Sequence, residues 1–292
     1  MRTNAIIEVS DLIVSYDEQT LKRLPVRRDD VVEALQTHQA SRLAHRVVRS
    51  IPDVDGVLDG RVVDNLLVKA HLELQRLEEE FLHGQRVLRA LRAVFDVLER
   101  HEVPKPWRVV DVGCSIGYSV RYLTSRGGFG RDVDIVGADY NAALVHTARH
   151  LAEQEGLRCR FEVANAFQLD VPATVYLSNA VMHHFSREAL PDFFARQNDA
   201  LAVVHFDVRQ TPLAPFGSWL FHKARMRSAL AQHDGVASAK RAHPQADILD
   251  AARAGLPSHR FQPGRDTGGI GNLVFQSVVG LRSDLVDDGS RP

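Results

Sequence analysis

The sequence predicts an α/β fold in which helices cover both faces of a mainly parallel sheet, preceded by a helical extension at the N-terminus. Beyond Pro106, short apolar runs alternate with amphipathic segments, as in strands joined by crossover helices. Before Pro104, apolar residues recur at helical spacing instead. The first apolar run leads directly into a glycine-containing turn and a helix. We therefore expect the chemistry to lie in the second part of the chain.

Composition and charge exclude several classes of protein. No apolar run approaches the roughly eighteen residues that a membrane span requires. Glu8 and Asp11 interrupt the apolar stretch that a signal peptide would need. The two cysteines, Cys114 and Cys159, are too few for a disulfide framework or a structural zinc site. A net charge of −1 disfavours binding to a long polyanion. We expect a cytoplasmic protein without membrane, nucleic-acid or metal partners.

Residues 1–104 are predicted to form the helical extension. Apolar residues recur at helical intervals over 28–51, 63–81 and 87–98. The intervening DVDGVLDG segment lacks the oxygen ligand (at Val57) and the closing glutamate of a calcium loop, which favours a plain turn. The extension is expected to cap a substrate or to contact another copy of the chain in a homo-oligomer.

Residues 105–285 are predicted to form the sheet domain. A helical insertion at 211–242 interrupts it as a candidate lid, and a disordered polar tail is expected at 286–292. We predict strands at 108–112, 134–138, 158–163, 174–178, 201–207, 259–262 and 273–281. We predict helices at 118–125, 142–155 and 187–199.

The segment VVDVGCSIG, which ends at Gly117, is the most informative one in the chain. Gly113 permits a sharp turn after the strand, and Gly117 allows the next helix to pack closely. The first turn of that helix presents unpaired backbone N–H groups to a ligand. Asp139 ends the next strand, twenty-two residues beyond Gly117, where a carboxylate can accept both hydroxyls of a ribose. This spacing indicates a nucleoside-binding site.

DVGCSIG and VGADYN resemble the first two motifs of the class I S-adenosylmethionine-dependent methyltransferases, whose fold is Rossmann-like. Ser115 stands where that family has its middle glycine. VANAFQLD is similar to the segment after the third strand, in which Asn165 would meet the adenine amine and Ala166 and Phe167 would flank the ring. The resemblance implies S-adenosylmethionine as cofactor, S-adenosylhomocysteine as product, and a set of cofactor-binding residues. These are Asp111, Gly113, Cys114, Ser115, Gly117, Tyr118, Asp139, Tyr140, Asn141, Asn165, Ala166, Phe167, Asn179 and Ala180.

YLSNAVMHHF resembles the fourth-strand segment of small-molecule methyltransferases of the ubiquinone-biosynthesis kind. By this resemblance His184 is the first candidate for a general base and His183 the second, since histidine accepts a proton near neutral pH. Either histidine could equally be a loop residue that only packs. Enzymes that methylate nucleic-acid bases usually carry Asn/Asp-Pro-Pro-aromatic here, so we expect a small-molecule acceptor. Aromatic residues of the insertion could line its site, namely Phe216, Trp219 and Phe221.

Three alternatives stay open at this point. A non-catalytic or regulatory protein could bind the same cofactor. The residues from Gly113 to Gly117 also satisfy Gly-x-Ser-x-Gly, the turn around the nucleophile of α/β-hydrolases, with Ser115 as nucleophile and Asp207 with His243 or His259 as partners. A nicotinamide dehydrogenase would need Gly-x-Gly-x-x-Gly, which this turn lacks.

Overall fold

The computed structural model describes residues 6–169, 171–264 and 274–286. The chain divides into two compact units: one comprises Met1–Leu77 with Gln210–Ala242, and the other comprises Glu78–Arg209 with His243–Pro292. Among the described residues, no helix is both long enough and apolar enough to span a bilayer.

The second unit contains a seven-stranded sheet in the order β5-β4-β3-β6-β7-β9-β8. The five strands from β3 to β7 run parallel, whereas β9 is antiparallel to both β7 and β8. The chain winds outward from β3 in one direction and from β6 in the other, which places a topological switch point between β3 and β6. The strands are β3 (Trp107–Val112), β4 (Val133–Asp139), β5 (Arg160–Val163), β6 (Val175–Asn179), β7 (Ala202–Val208), β8 (His259–Pro263) and β9 (Phe275–Arg282).

Helices cover both faces of this sheet because successive strand residues point in opposite directions. Val109 belongs to a core shared with α5, α6 and α7, whereas its neighbour Val110 belongs to a core shared with α8 and α11. The helices are α5 (His83–Arg100), α6 (Tyr118–Arg126), α7 (Ala142–Gln154), α8 (Leu190–Ala195) and α11 (Gln245–Gly255). The predicted α/β fold, with helices on both faces of a mainly parallel sheet, is confirmed.

The first unit is mainly helical. Its helices α3 and α10 pack together and α10 also contacts α1 and α9. Asp234 of α10 accepts the backbone N–H of Val9 at 2.8 Å, and Glu73 of α4 accepts those of Arg227 and Ser228 at 3.0 and 2.9 Å. The elements are α1 (Val9–Leu12), α2 (Arg28–Thr37), α3 (Arg42–Ser50), β1 (Asp53–Val54), β2 (Val57–Leu58), α4 (Gly60–Glu80, whose last turn belongs to the second unit), α9 (Ala214–Arg225) and α10 (Ala229–Arg241).

Two predicted helices are wrong in extent. The helix predicted over 28–51 is two helices, because Gln39 has a φ of 50° and Ser41 begins a new helix by accepting the N–H of Ala44 at 3.3 Å. Of the helix predicted over 187–199, only the residues of α8 are helical in the structure. Pro191 sits in its first turn, and at its end the Gln197 side chain donates to the Phe193 carbonyl that a continuing helix would use.

Other differences concern the type of element that a segment forms and the boundary between the two units. The DVDGVLDG segment forms the β1–β2 hairpin, whose Asp55–Gly56 turn has φ values of 51° and 80°. Helix α11 was not predicted, although its buried residues Ile248, Leu249, Ala251 and Ala252 lie at helical spacing. The compact units separate after Leu77, so α5 belongs to the sheet unit, whereas the sequence suggested a boundary at 104. The predicted tail lies outside the described residues except for Val286.

Candidate active site at the carboxyl edge of the sheet

The turn after β3 requires glycine at two positions. Gly113 has a φ of 71°, and a Cβ there would lie 2.4 Å from Val181 Cγ2. Gly117, the N-cap of α6, has a φ of 77°, and a Cβ there would lie 2.3 Å from Phe161 Cε1. Side chains at these positions would both strain the backbone and overlap their neighbours. The glycines therefore hold the turn, the helix N-terminus and the neighbouring strands in close contact.

Ser115 occupies the middle position of this turn with a φ of 54°, in the left-handed region that favours glycine. A non-glycine residue at this φ costs about 1 to 2 kcal/mol. The backbone thus keeps the conformation of the glycine-rich motif although the sequence departs from it. Ala180, after β6, has the same positive φ of 54°. Both loops at the switch point therefore contain a non-glycine residue in the left-handed region.

Asp139, at the end of β4, is 6% exposed and ties the turn to its own strand. Its carboxylate accepts the backbone N–H of Ser115 at 2.8 Å and that of Asn141 at 2.9 Å. Burial raises its pKa, although both hydrogen bonds act in the opposite direction. Each carboxylate oxygen has a further lone pair, so this arrangement leaves capacity to accept a ligand's hydroxyl groups.

Asp111 and Asn179 lie at the carboxyl ends of the neighbouring strands β3 and β6, and each presents an unsatisfied oxygen. Asp111 Oδ1 and Asn179 Oδ1 are buried and find no hydrogen-bond donor among the described residues. The Asn179 amide nitrogen donates to Glu78 in the last turn of α4. Burial, with the negative charges of Glu78 and Asp139, raises the pKa of Asp111 well above its usual value. Asp111 Oδ1 and Asn179 Oδ1 can therefore each accept a hydrogen bond from a ligand.

Other predicted cofactor residues surround this edge in different environments. Asn165 Oδ1 accepts the backbone N–H of Phe167 at 2.9 Å, and the Phe167 ring packs edge-on against Phe185 with centroids 4.8 Å apart. Burial raises the pKa of the Tyr118 hydroxyl. Tyr140 is 46% exposed. Cys114 and Asn141 are buried, and Ala166 packs partly buried against the core that includes α8.

His183 forms a buried pair with Asp207 of β7. Its Nδ1 lies 2.6 Å from Asp207 Oδ1, and its backbone N–H donates to Asp207 Oδ2 at 2.8 Å. Burial would raise the pKa of Asp207, but the electrostatic attraction and hydrogen bonds of His183 hold it below its usual value. A carboxylate on Nδ1 fixes the orientation of the ring.

His184 has a different environment from His183. It is exposed, its ring lies 4.4 Å from that of His183, and its electrostatic effect on Asp139 acts against the rise in pKa that burial causes. His205, by contrast, is fully buried and satisfied: its nitrogens contact Ser178 Oγ at 2.8 Å and Gln197 Oε1 at 2.9 Å. Burial lowers the pKa of His205 to about 3, so it is a neutral core residue.

The aromatic residues predicted to contact a substrate lie on α9 of the first unit. Phe216 and Trp219 are 64% and 45% exposed and stack with ring centroids 6.0 Å apart. Lys223 Nζ lies 4.9 Å from the Trp219 ring centroid. Phe221 is partly buried beside His222. These side chains could bind a flat apolar group, and their role remains a prediction.

The histidines that the hydrolase alternative requires have other partners. His243 Nε2 contacts the Phe185 carbonyl at 3.1 Å, and His259 Nε2 contacts that of Ala200 at 3.1 Å. Asp207 is paired with His183. A catalytic triad needs hydrogen bonds that run from the nucleophile to a base and from the base to an acid. None of these contacts joins Ser115 to a histidine in that way, so the geometry does not support a Ser115 triad.

Two residues of the site were not singled out from the sequence. Glu78 lies in the run Leu77-Glu78-Glu79-Glu80, in which nothing distinguishes the residue that turns toward β6. Asp207 was considered only as a partner for Ser115, because its pairing with His183 spans twenty-four positions. The position of Asp207 at the carboxyl end of a parallel strand was the available signal.

Comparison with known proteins is consistent with this geometry. Residues 109–203 match the family model described as a methyltransferase domain. A search of curated proteins found no match. The plantazolicin methyltransferase BamL, in complex with a triazolic desmethylPZN analog and SAH, is 12% identical with a TM-score of 0.52 over 75% of this chain and 96% of that chain. The magnesium protoporphyrin IX methyltransferase ChlM from Synechocystis PCC 6803, with bound SAH, is 15% identical with a TM-score of 0.50 over 77% of this chain and 100% of that chain.

The two solved structures share the fold of the present chain. The matched family segment begins in β3 and ends in β7, so it contains the glycine turn, Asp139, Asn179 and both histidines. A segment of the chain, residues 109–203, thus matches a methyltransferase domain, and the sheet that it spans has its switch point between β3 and β6.

Proposed function

We propose that this enzyme binds S-adenosylmethionine at the carboxyl edge of β3, β4 and β6 and methylates a small molecule. The buried, unsatisfied Asp111 Oδ1 carries the proposal, because a ligand donor must meet it there. Gly113 supports the same position, since any side chain at this residue would fill the space beside Val181. S-adenosylmethionine supplies a methyl group on a positively charged sulfur.

Each part of the cofactor has a candidate partner among the described residues. Asp139 keeps lone pairs for the ribose hydroxyls beside the turn that it already anchors. Phe167 offers an aromatic face or edge to the adenine, and Asn165 can accept from its amine. Asp111 and Asn179 offer acceptors to the amino-acid end. This distribution supports the cofactor set implied by the sequence.

A small-molecule acceptor is supported by the chain's charge and by its fourth-strand motif. A net charge of −1 offers little attraction to a nucleic-acid backbone. Ser178-Asn179-Ala180 stands where enzymes that methylate nucleic-acid bases carry Asn/Asp-Pro-Pro. The exposed Phe216 and Trp219 of the first unit present apolar rings that would suit a flat apolar ligand.

We propose His183 as the general base when the acceptor must lose a proton. Asp207 orients the His183 ring, as the carboxylate orients the histidine base in known catalytic triads. His184, the first candidate by sequence resemblance, has an exposed ring, whereas His183 is buried. The enzyme's remaining task is to hold donor and acceptor at reacting distance in a site from which water is excluded.

Incubation with methyl-labelled S-adenosylmethionine and a cell extract tests the acceptor class. The extract is afterwards separated into small-molecule, protein and nucleic-acid fractions, and label is expected in the first. Label confined to nucleic acid or protein would contradict the proposed acceptor. The His183→Ala variant should bind the cofactor normally and lose about 10² to 10⁴ of the transfer rate. His184→Ala is the matched control and should lose less.

A further inference from the structure

Helix α9 of the first unit exposes a group of large apolar side chains. Nine such side chains are exposed among the described residues, and four of them lie within the eight positions 213–220. They are between 45% and 75% exposed, and they are Leu213, Phe216, Trp219 and Leu220. Single exposed apolar residues are ordinary on a protein surface, whereas a contiguous group indicates a surface that binds another molecule.

The opposite side of α9 already has a partner within its own unit. Ser218 Oγ donates to the Gly235 carbonyl of α10 at 2.6 Å. The His222 ring lies against the same glycine, since a Cβ at Gly235 would be 2.1 Å from His222 Nε2. Phe216 and Leu220 lie about half a turn away from Ser218 and share a face because they are four residues apart. The exposed apolar group is therefore the side of α9 that points away from α10.

Basic side chains accompany this exposed face. Residues 208–233 include four lysine and arginine residues and no aspartate or glutamate. Three of the four are exposed near the carboxyl end of α9, namely Lys223, Arg225 and Arg227. Lys223 Nζ lies 4.9 Å from the centroid of the Trp219 ring, so a positive charge and the largest apolar side chain of the group lie side by side.

We propose that α9 docks on an anionic lipid bilayer through a surface formed by Leu213, Phe216, Trp219, Leu220 and Lys223, the α9 surface. A helix with leucine and aromatic side chains on one face and basic side chains beside them lies in the plane of a membrane interface. Tryptophan and lysine suit this boundary because each has an apolar body and a polar end. The docking does not depend on the proposed acceptor or on the cofactor site.

The charges favour a bilayer over a second copy of the chain. A twofold contact would place the α9 surface against itself, so that basic side chains of one copy would face those of the other. Anionic headgroups complement these charges, and each lysine or arginine near such a surface strengthens binding by about fivefold. A fluid bilayer also accepts protruding side chains without a matching groove. The sequence-based expectation of no membrane partner concerned a spanning segment, which a helix that lies on a surface does not need.

Trp219 allows the docking to be measured directly. The chain has two tryptophans, and Trp107 is only 3% exposed, so a change of emission on docking reports on Trp219. The full chain is titrated with vesicles of phosphatidylcholine alone and with vesicles that also contain phosphatidylglycerol. The anionic vesicles should shift the emission to shorter wavelength and sediment with the protein. Binding to the neutral vesicles should be at least about tenfold weaker, and high salt should reduce this difference.

Two leucine pairs test the apolar part of the α9 surface. Leu213→Ser combined with Leu220→Ser should weaken binding to the anionic vesicles by about 10- to 100-fold, because less apolar area leaves water. The matched control is Leu24→Ser combined with Leu72→Ser, which changes two leucines of the same unit that are 42% and 40% exposed. This control should bind as the wild type does. Circular dichroism checks that both double variants are folded.

Two pairs of basic residues test the charged part. Lys223→Gln combined with Arg227→Gln should weaken co-sedimentation with the anionic vesicles by about 10- to 30-fold and leave the weak binding to neutral vesicles nearly unchanged. Arg61→Gln combined with Lys69→Gln removes the same charge from exposed positions of α4 and is the matched control. It should change binding by less than about threefold.

Four results would overturn the proposal. The first is a folded wild-type protein that does not sediment with anionic vesicles. The second is an equal loss of binding in the α9 variants and in their controls. The third is an emission shift that grows with protein concentration in the absence of vesicles, together with a dimer in sedimentation velocity, which would assign the α9 surface to a second copy. The fourth is a shift caused by soluble polyglutamate but not by vesicles, which would assign it to an acidic protein.

Discussion

Replacing Gly117 by alanine tests the close approach between α6 and the sheet on which the donor site depends. The new Cβ would lie 2.3 Å from Phe161 Cε1 and 3.1 Å from the Ala148 Cβ, at a φ of 77°. The left-handed backbone contributes about 1 to 2 kcal/mol of destabilisation and the overlap about 1 to 3 kcal/mol. The reduced entropy of the unfolded chain offsets about 0.4 to 1 kcal/mol. We expect a net loss of roughly 1 to 4 kcal/mol.

Gly156 provides a matched control for this substitution. Its φ is 67°, and a Cβ there would meet no described atom within 4 Å. Gly156→Ala therefore changes the backbone contribution and the unfolded-state entropy without the overlap. Urea unfolding followed by circular dichroism should give a free-energy difference between the two variants of about 1 to 3 kcal/mol, which is the overlap alone. Adding Phe161→Leu should reduce the loss caused by Gly117→Ala. Equal stabilities of the two alanine variants would refute the argument.

Three further predictions concern buried polar groups. His83 is fully buried with no partner for either ring nitrogen among the described residues, so His83→Leu should raise the free energy of unfolding by about 1 to 3 kcal/mol in urea titrations at pH 7.5. Burial and the charge of Arg86 lower the pKa of His83 to about 3, so the stability that depends on its neutral form is complete above about pH 6.5 and is lost as the pH falls. At pH 5 the advantage of His83→Leu over the wild type should therefore grow by about 2 kcal/mol. A constant advantage would contradict this. Asp207→Ala should lower the transfer rate as much as His183→Ala, with cofactor affinity retained, and additive losses in the double variant would argue against a dyad. Asp139→Ala should reduce both the affinity for S-adenosylhomocysteine and the free energy of unfolding, each by about 1.5 to 3 kcal/mol, because its carboxylate also holds two backbone N–H groups; loss of stability alone would remove it from the ribose site.

The sequence predicted the sheet well because the relevant signals are local. All seven strands lie within about two residues of their predicted bounds, since apolar runs bounded by turn residues reflect burial on both faces. The glycine turn was equally predictable from the sequence, because Gly113 and Gly117 adopt a φ that few other residues tolerate. The family match over 109–203 agrees with the motifs from which the methyltransferase was predicted.

Most of the remaining differences arise from interactions between distant residues. Nothing in the sequence near Glu78 indicates that its carboxylate meets Asn179, one hundred and one positions away. The pairing of His183 with Asp207 likewise depends on the adjacency of β6 and β7, which only the assembled sheet provides. The length of α8 was misjudged because one side-chain contact, from Gln197 to the Phe193 carbonyl, competes with the helical hydrogen bond.

The most direct test of the central claim, that the carboxyl edge of the sheet binds S-adenosylmethionine, is a calorimetric titration of the purified protein with S-adenosylhomocysteine and, separately, with NAD. We expect a micromolar Kd for S-adenosylhomocysteine, equivalent to about −8 kcal/mol, with one site per chain and no comparable heat with NAD. In Gly113→Val, whose side chain would overlap Val181 at the turn, this binding should be lost or strongly weakened. A folded protein that ignores S-adenosylhomocysteine, or that prefers NAD, would contradict the account.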